Sequence, residues 1–141
     1  VASLWAAQDW INEYGGTERI FAEEHRLASK LVRELKEVEG VTVYCCDSMD
    51  NHLSTVTINV DGLEAGDVGI MLDVDFNIAT RTGLHCAPLV HQQLGTMKIH
   101  GGTRFSIGAF NTEEHIDHAV EAVTEIAKRA KEMKNVGSAS K

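Results

Sequence analysis

The sequence predicts an α+β domain, a small antiparallel or mixed sheet of three to four strands packed against long helices. Three observations predict it. Two long stretches, near residues 17–39 and 111–134, place apolar residues at helical spacing, and two β-branched runs between them alternate with period two. No internal repeat and no interior linker divides the chain, and 141 residues that are 43% hydrophobic suffice for one domain, 1–141, with its own core.

The elements follow in order. Leu4, Trp5, Ala7, Trp10, Ile11 and Tyr14 repeat with roughly helical spacing, with Ser3 as a candidate cap. This pattern is already running at Val1, where no initiator methionine stands, and reads as a chain cut from a longer one. Thr17 to Glu39 carries Ile20, Leu27, Leu31, Leu35 and Val38 on one stripe, with Phe21, Ala28 and Val32 beside it, and Gly40 supplies the stop. Val41–Cys45 and Thr55–Val60 are alternating runs separated by polar turn residues and read as paired strands. Glu64 to Phe76 has Val68, Met71, Leu72 and Phe76 at helical spacing, against the grain of Gly66 and Gly69.

Ile78–Thr82 is a short extended run, Leu89–Leu94 a short helical one, and Arg104–Phe110 the last strand. Asn111 with Glu114 makes a candidate N-cap and N3 pair. Ile116, Ala119, Val120, Val123, Ile126, Ala127 and Ala130 then form a stripe, with acids at its start and Lys128, Arg129, Lys131 and Lys134 near its end to match the helix dipole. Residues 135–141 are expected to fray.

The chemistry concentrates in Arg81-Thr82-Gly83-Leu84-His85-Cys86-Ala87-Pro88 and in a second arginine, Arg104. A thiol reacts as its thiolate, which a neighbouring cation, an imidazolium or free backbone N–H groups favour; Arg81 and His85 supply such a field. Pro88, the only proline in the chain, holds Ala87 extended and can open a helix at its first turn, leaving Cys86 just ahead of that end. Arginine's planar fork suits a carboxylate gripped through two parallel hydrogen bonds. The plainer readings stand beside these: a free cysteine is often a small buried hydrophobe, and an arginine at a strand end often runs its stem along apolar surface to water.

Charge and composition exclude other classes. A net charge of −8 argues against nucleic acid, whose binding rests on Lys and Arg neutralising phosphates. No apolar run approaches the ~20 residues that span a membrane, and no secretory signal is visible, so the expectation is a soluble, cytoplasmic protein. Three cysteines, Cys45 and Cys46 adjacent, make no disulfide framework and fit a reducing compartment. No metal site is expected: adjacent strand cysteines point to opposite faces, no C-x-x-C pair exists, and His115 and His118 lack the H-E-x-x-H context.

Three motifs in order then carry a resemblance. Arg81–Ala87 resembles an R-x-G-x-H-C-A segment, Gly102-Thr103-Arg104-Phe105-Ser106 a segment of the T-x-R-x-S or closely similar kind, and Asn111-Thr112-Glu113-Glu114-His115-Ile116-Asp117 an N-T-x-E-E segment, all of the cysteine desulfurase branch of the class V aminotransferases. The resemblance implies the C-terminal small domain of a fold type I, aspartate-aminotransferase-type enzyme. It implies that Cys86 forms a persulfide with His85 orienting or deprotonating it, that Arg104 holds the substrate carboxylate, and that Arg81 holds the loop or the substrate. L-Cysteine is the implied substrate, with a sulfur-acceptor protein, a homodimeric full-length enzyme and a role in sulfur metabolism such as iron–sulfur cluster assembly.

Two departures qualify it. Leu84 stands where many members carry a second histidine, and the glycine-containing step from Cys86 to Arg104 implies a loop slightly longer than the commonest form. The family's pyridoxal phosphate is anchored by a lysine on a preceding large domain, and no lysine here has that setting; the cofactor is therefore expected on the absent domain, and this chain alone is expected to be inactive. Selenocysteine cleavage, transamination, or a non-catalytic binding module are the alternatives left open.

Overall fold

Leu27, Ala28, Leu31, Val32 and Leu35 return every three or four residues, and this is the stripe that the longest early helix buries. The computed structural model describes residues 1–45 and 48–138, so the expectations for Cys46 and for residues 139–141 lie outside the described residues. Helix α1 (Ala2–Tyr14) leads through the left-handed Gly15 into α2 (Gly16–Lys36), and Ser3 lies inside α1 instead of capping it. Strand β1 (Val41–Tyr44) follows, then a 3-10 turn at Met49–Asn51 capped by Ser48, then β2 (Thr55–Val60). Helix α3 (Ala65–Phe76), strand β3 (Arg81–Gly83), helix α4 (Pro88–Gln93), a 3-10 turn at Thr96–Ile99, strand β4 (Gly102–Ser106) and helix α5 (Glu113–Ser138) complete the order.

The four strands form one antiparallel sheet in the order β1-β2-β4-β3. Its helix-covered face is built by alternation. Val56, Ile58 and Val60 point inward from β2 with Phe105 from β4, and meet α2, α3 and α5. Ile116, Ala119, Ala122, Val123, Ile126, Ala127 and Ala130 are the matching stripe of α5. Each fully buried leucine such as Leu27, Leu31 or Leu35 contributes about 1.5–3 kcal/mol through removal from water. The opposite face is polar: Thr42 and Thr55 are exposed, and Tyr44, Thr57 and Arg104 half-buried.

Three details differ from the sequence reading, each for a physical reason. The last strand starts two residues earlier, where Gly102 pairs with Gly83 of β3, and ends at Ser106 opposite Thr55, the first residue of β2, the Ile107 N–H still meeting the Ser54 carbonyl (2.9 Å) in that register. Asn111 closes the next turn by accepting from the Gly108 N–H (2.8 Å), so the helix cap is Thr112, whose hydroxyl and N–H pair reciprocally with the N–H and Nδ1 of His115. Strand β3 is three residues centred on Thr82, and α3 crosses it at Gly69, where any Cβ would collide with Thr82 Cγ2. That crossing explains a glycine in mid-helix.

Candidate active site

Strands β3 and β4 meet at one edge of the sheet, and their register sets Arg81 directly opposite Arg104. Arg104 in turn opposes Thr57, and Thr57 opposes Tyr44. Directly opposed residues point to the same side, so Arg81, Arg104, Thr57 and Tyr44 form one row across the polar face. Two like charges in adjacent positions are unfavourable by themselves; together they present a bank of donors to an anion. The Nε of Arg104 is sealed from solvent and unpaired among the described residues, although buried donors are almost always paired.

Behind this edge the chain makes a tight loop. Gly83 has φ 107°, and His85 and Cys86 follow in the left-handed region at 52° and 59°. Histidine is among the residues that tolerate this, cysteine is not, and each such residue costs about 1–2 kcal/mol. The Ala87 N–H closes the turn on the Leu84 carbonyl (2.8 Å), and Pro88 opens α4 at its first position. This conformation leaves Cys86 exposed, which removes the reading of it as a buried hydrophobe. Cys45, by contrast, packs against the core.

Contacts join three of the four candidate residues. Arg81 Nη2 donates toward Cys86 Sγ at 3.8 Å, and the His85 Nε2–H donates to the Arg81 carbonyl at 3.0 Å. Because a carbonyl only accepts, His85 carries its proton on Nε2 and leaves Nδ1 as a lone pair. Burial first of all, then the neighbouring charges of Arg104, His91 and Arg81, push the His85 pKa below its ordinary 6.5, against the opposing effect of its bond to the Arg81 carbonyl. His85 is thus a proton acceptor at neutral pH, within the field of the arginine pair.

Three polar residues of this region are absent from the sequence reading. His91 and Thr96 are buried and bonded to each other beneath the loop. Asn59, buried on β2, donates to the Gly101 carbonyl (3.0 Å) and braces the turn that leads into β4. The available signal was a polar residue inside an apolar or β-branched run, as in Ile58-Asn59-Val60 and Val90-His91. His115 and His118 are used locally, the first in the α5 cap and the second on the Phe76 carbonyl (2.9 Å).

The model of the aminotransferase class-V family matches residues 1–119. The chain belongs to the class V aminotransferases. Among relatives in this family, it is 32% identical over 123 residues to a probable cysteine desulfurase 2 of Mycobacterium leprae, covering 87% of this chain and 28% of that protein. It is 35% identical over 114 residues to a probable cysteine desulfurase of Halalkalibacterium halodurans, covering 81% and 26%. Among solved structures, the apo cysteine desulfurase of Thermococcus onnurineus NA1 superposes with a TM-score of 0.77 at 33% identity, over 85% of this chain and 28% of that one. The cysteine desulfurase CsdA of Escherichia coli, in an S-sulfonic acid form, gives 0.70 at 25% identity, over 91% and 29%. The chain therefore spans little more than a quarter of the length of these class V relatives.

Two amines of this class V chain are committed to carboxylates away from the site. Lys30 is tied to Glu113 and Asp117, and Lys131 to Glu39, on the helical layer behind the sheet. A concavity of about 300 Å³ between β4 and the start of α5, lined by Ser106, Asn111, His115 and His118 among others, holds none of the four candidate residues. Those residues sit on an open face and its adjoining loop.

Proposed function

We propose that this chain is the C-terminal domain of a pyridoxal-phosphate-dependent cysteine desulfurase, in which Cys86 accepts sulfur from L-cysteine. The observation that carries the reading is the exposed Cys86 Sγ facing an Arg81 guanidinium that stands beside Arg104 on the same sheet row. The similarity to cysteine desulfurases over most of the chain supports it.

The residue chemistry is then specific. Arg104 grips the substrate carboxylate through two parallel hydrogen bonds, with Arg81 adding charge and steadying the loop. The Cys86 thiolate forms a bond to the substrate sulfur as the carbon–sulfur bond breaks. Sulfur remains as a Cys86 persulfide, and the electron pair of the broken bond takes up the proton of the substrate thiol, giving alanine. His85 Nδ1 receives the proton of the Cys86 thiol beforehand. Labilising the carbon–sulfur bond is the work of pyridoxal phosphate, which this reading assigns to residues outside the chain, Lys30 and Lys131 being tied to carboxylates on the helical layer. A site laid on an open face agrees with completion by such a domain.

The test is Cys86→Ser in the full-length enzyme. Sulfur release from L-cysteine should disappear while the cofactor's absorbance is kept; a variant that releases sulfur at the wild-type rate contradicts the assignment.

A further inference from the structure

His91 is buried, with 5% of its surface exposed, on the short helix α4 that begins two residues after Cys86. Its partner Thr96 is 3% exposed. The Thr96 hydroxyl donates to the His91 carbonyl (3.3 Å), so its oxygen accepts from the His91 Nδ1–H (2.8 Å). Both hydrogen bonds are satisfied only if His91 carries a proton on Nδ1. The ring of His91 lies against that of His85, with centroids 5.8 Å apart and planes inclined at 56°. His85 in turn sits on the Arg81 carbonyl, and Arg81 reaches Cys86 Sγ.

We propose that the buried Thr96–His91 pair positions the reactive loop: His91, fixed by Thr96, backs the His85 ring and keeps it seated on the Arg81 carbonyl, with Nδ1 free to take the Cys86 proton. The inference deepens the reading of Cys86 as the reactive thiol and rests on it. Two physical arguments support it. Consecutive non-glycine residues in the left-handed region persist only when their surroundings over-determine them, and His91 is the buried polar side chain packed on that turn. Burial of the His85 ring, to which His91 contributes by packing on it, also disfavours the protonated form of His85. The groups that face His85 are Arg81 from β3, Arg104 from β4 and His91 from α4, and all three act against its protonated form. His91 is a positioning residue, since no atom of it is assigned to the substrate.

The experiment uses the full-length protein. Iodoacetamide labelling of Cys86, read from the mass of its peptide across pH, compares wild type with Thr96→Val, Thr96→Ser and His91→Asn. Thr96→Val loses the acceptor for the His91 Nδ1–H and His91→Asn loses the ring edge that meets His85 while keeping a donor toward Thr96. Both should slow Cys86 labelling at neutral pH by roughly threefold or more and move its profile to higher pH. Thr96→Ser should keep the wild-type profile, and Cys45 should label unchanged throughout. A wild-type profile in both Thr96→Val and His91→Asn overturns the proposal, as does an equal change at Cys45, which would signal general loosening. Should the variants fail to fold, nitrogen-15 shifts of the wild-type imidazoles decide: His91 protonated on Nδ1 and His85 on Nε2 is the required pattern, and any other contradicts it. None of these readouts needs L-cysteine, so failure of the desulfurase reading shows separately, as absence of a Cys86 persulfide.

Discussion

Arg81 and Arg104 stand opposite each other on adjacent strands, where like charges repel, and a fold keeps such a pair where an anion rewards it. The geometry of the guanidinium is the point, because lysine supplies the charge without the fork. In the full-length enzyme, Arg104→Lys should raise the KM for L-cysteine ~10-fold or more while the cofactor remains bound; unchanged KM and kcat would remove the clamp. His85 gives a prediction in pH. Its pKa is lowered on folding, so between that value and 6.5 the unfolded chain binds more protons, and folding loses stability as pH falls through that window. His85→Asn should lessen the drop in urea midpoint between neutral and mildly acid pH. Cys86, His85, Arg81 and Arg104 were legible in the sequence because their types cluster around one loop. His91 was not, since a six-residue helix is too short for periodicity to reveal which side is buried.

At the scale of elements, the approach of β4 to its neighbours depends on glycine. Gly101 has φ 101°, and a Cβ there would meet the carbonyl of Gly83; one on Gly102 would lie 2.6 Å from Thr57 Cγ2. Gly101→Ala should therefore destabilise the domain by about 2 kcal/mol or more, from positive φ and the collision together, measured as the loss of free energy in urea unfolding. A loss under about 0.5 kcal/mol would mean that the β3–β4 edge adapts freely, and with it the Arg81–Arg104 register. The long helices were legible because α2 and α5 repeat their stripes over several turns. The edge strands were read with shifted ends. Apolar Ile78 prolongs the pattern of a strand, yet its N–H bonds back to α3 through the Leu72 carbonyl, and β4 runs out where its partner β2 begins, with Ser106 opposite Thr55. Local sequence does not record which carbonyl a given N–H will find.

For the molecule as a whole, one face of the sheet is closed by three helices and the other is left polar, with the arginine row and the cysteine loop at its edge. An antiparallel sheet can present one face to water, and here that face carries the two arginines and its adjoining loop carries His85 and Cys86, while the helices supply the core that holds strand register. The similarity to cysteine desulfurases extends across this same arrangement at a little over a quarter of their length. The central claim is that sulfur passes to Cys86, and it is tested most directly by mass spectrometry of the Cys86-containing peptide after the full-length enzyme meets L-cysteine. The account predicts that this peptide, and not the one carrying Cys45, gains the mass of one sulfur atom, which thiol reductant removes. An unmodified Cys86 peptide accompanied by alanine formation, or the added sulfur on Cys45, would contradict it.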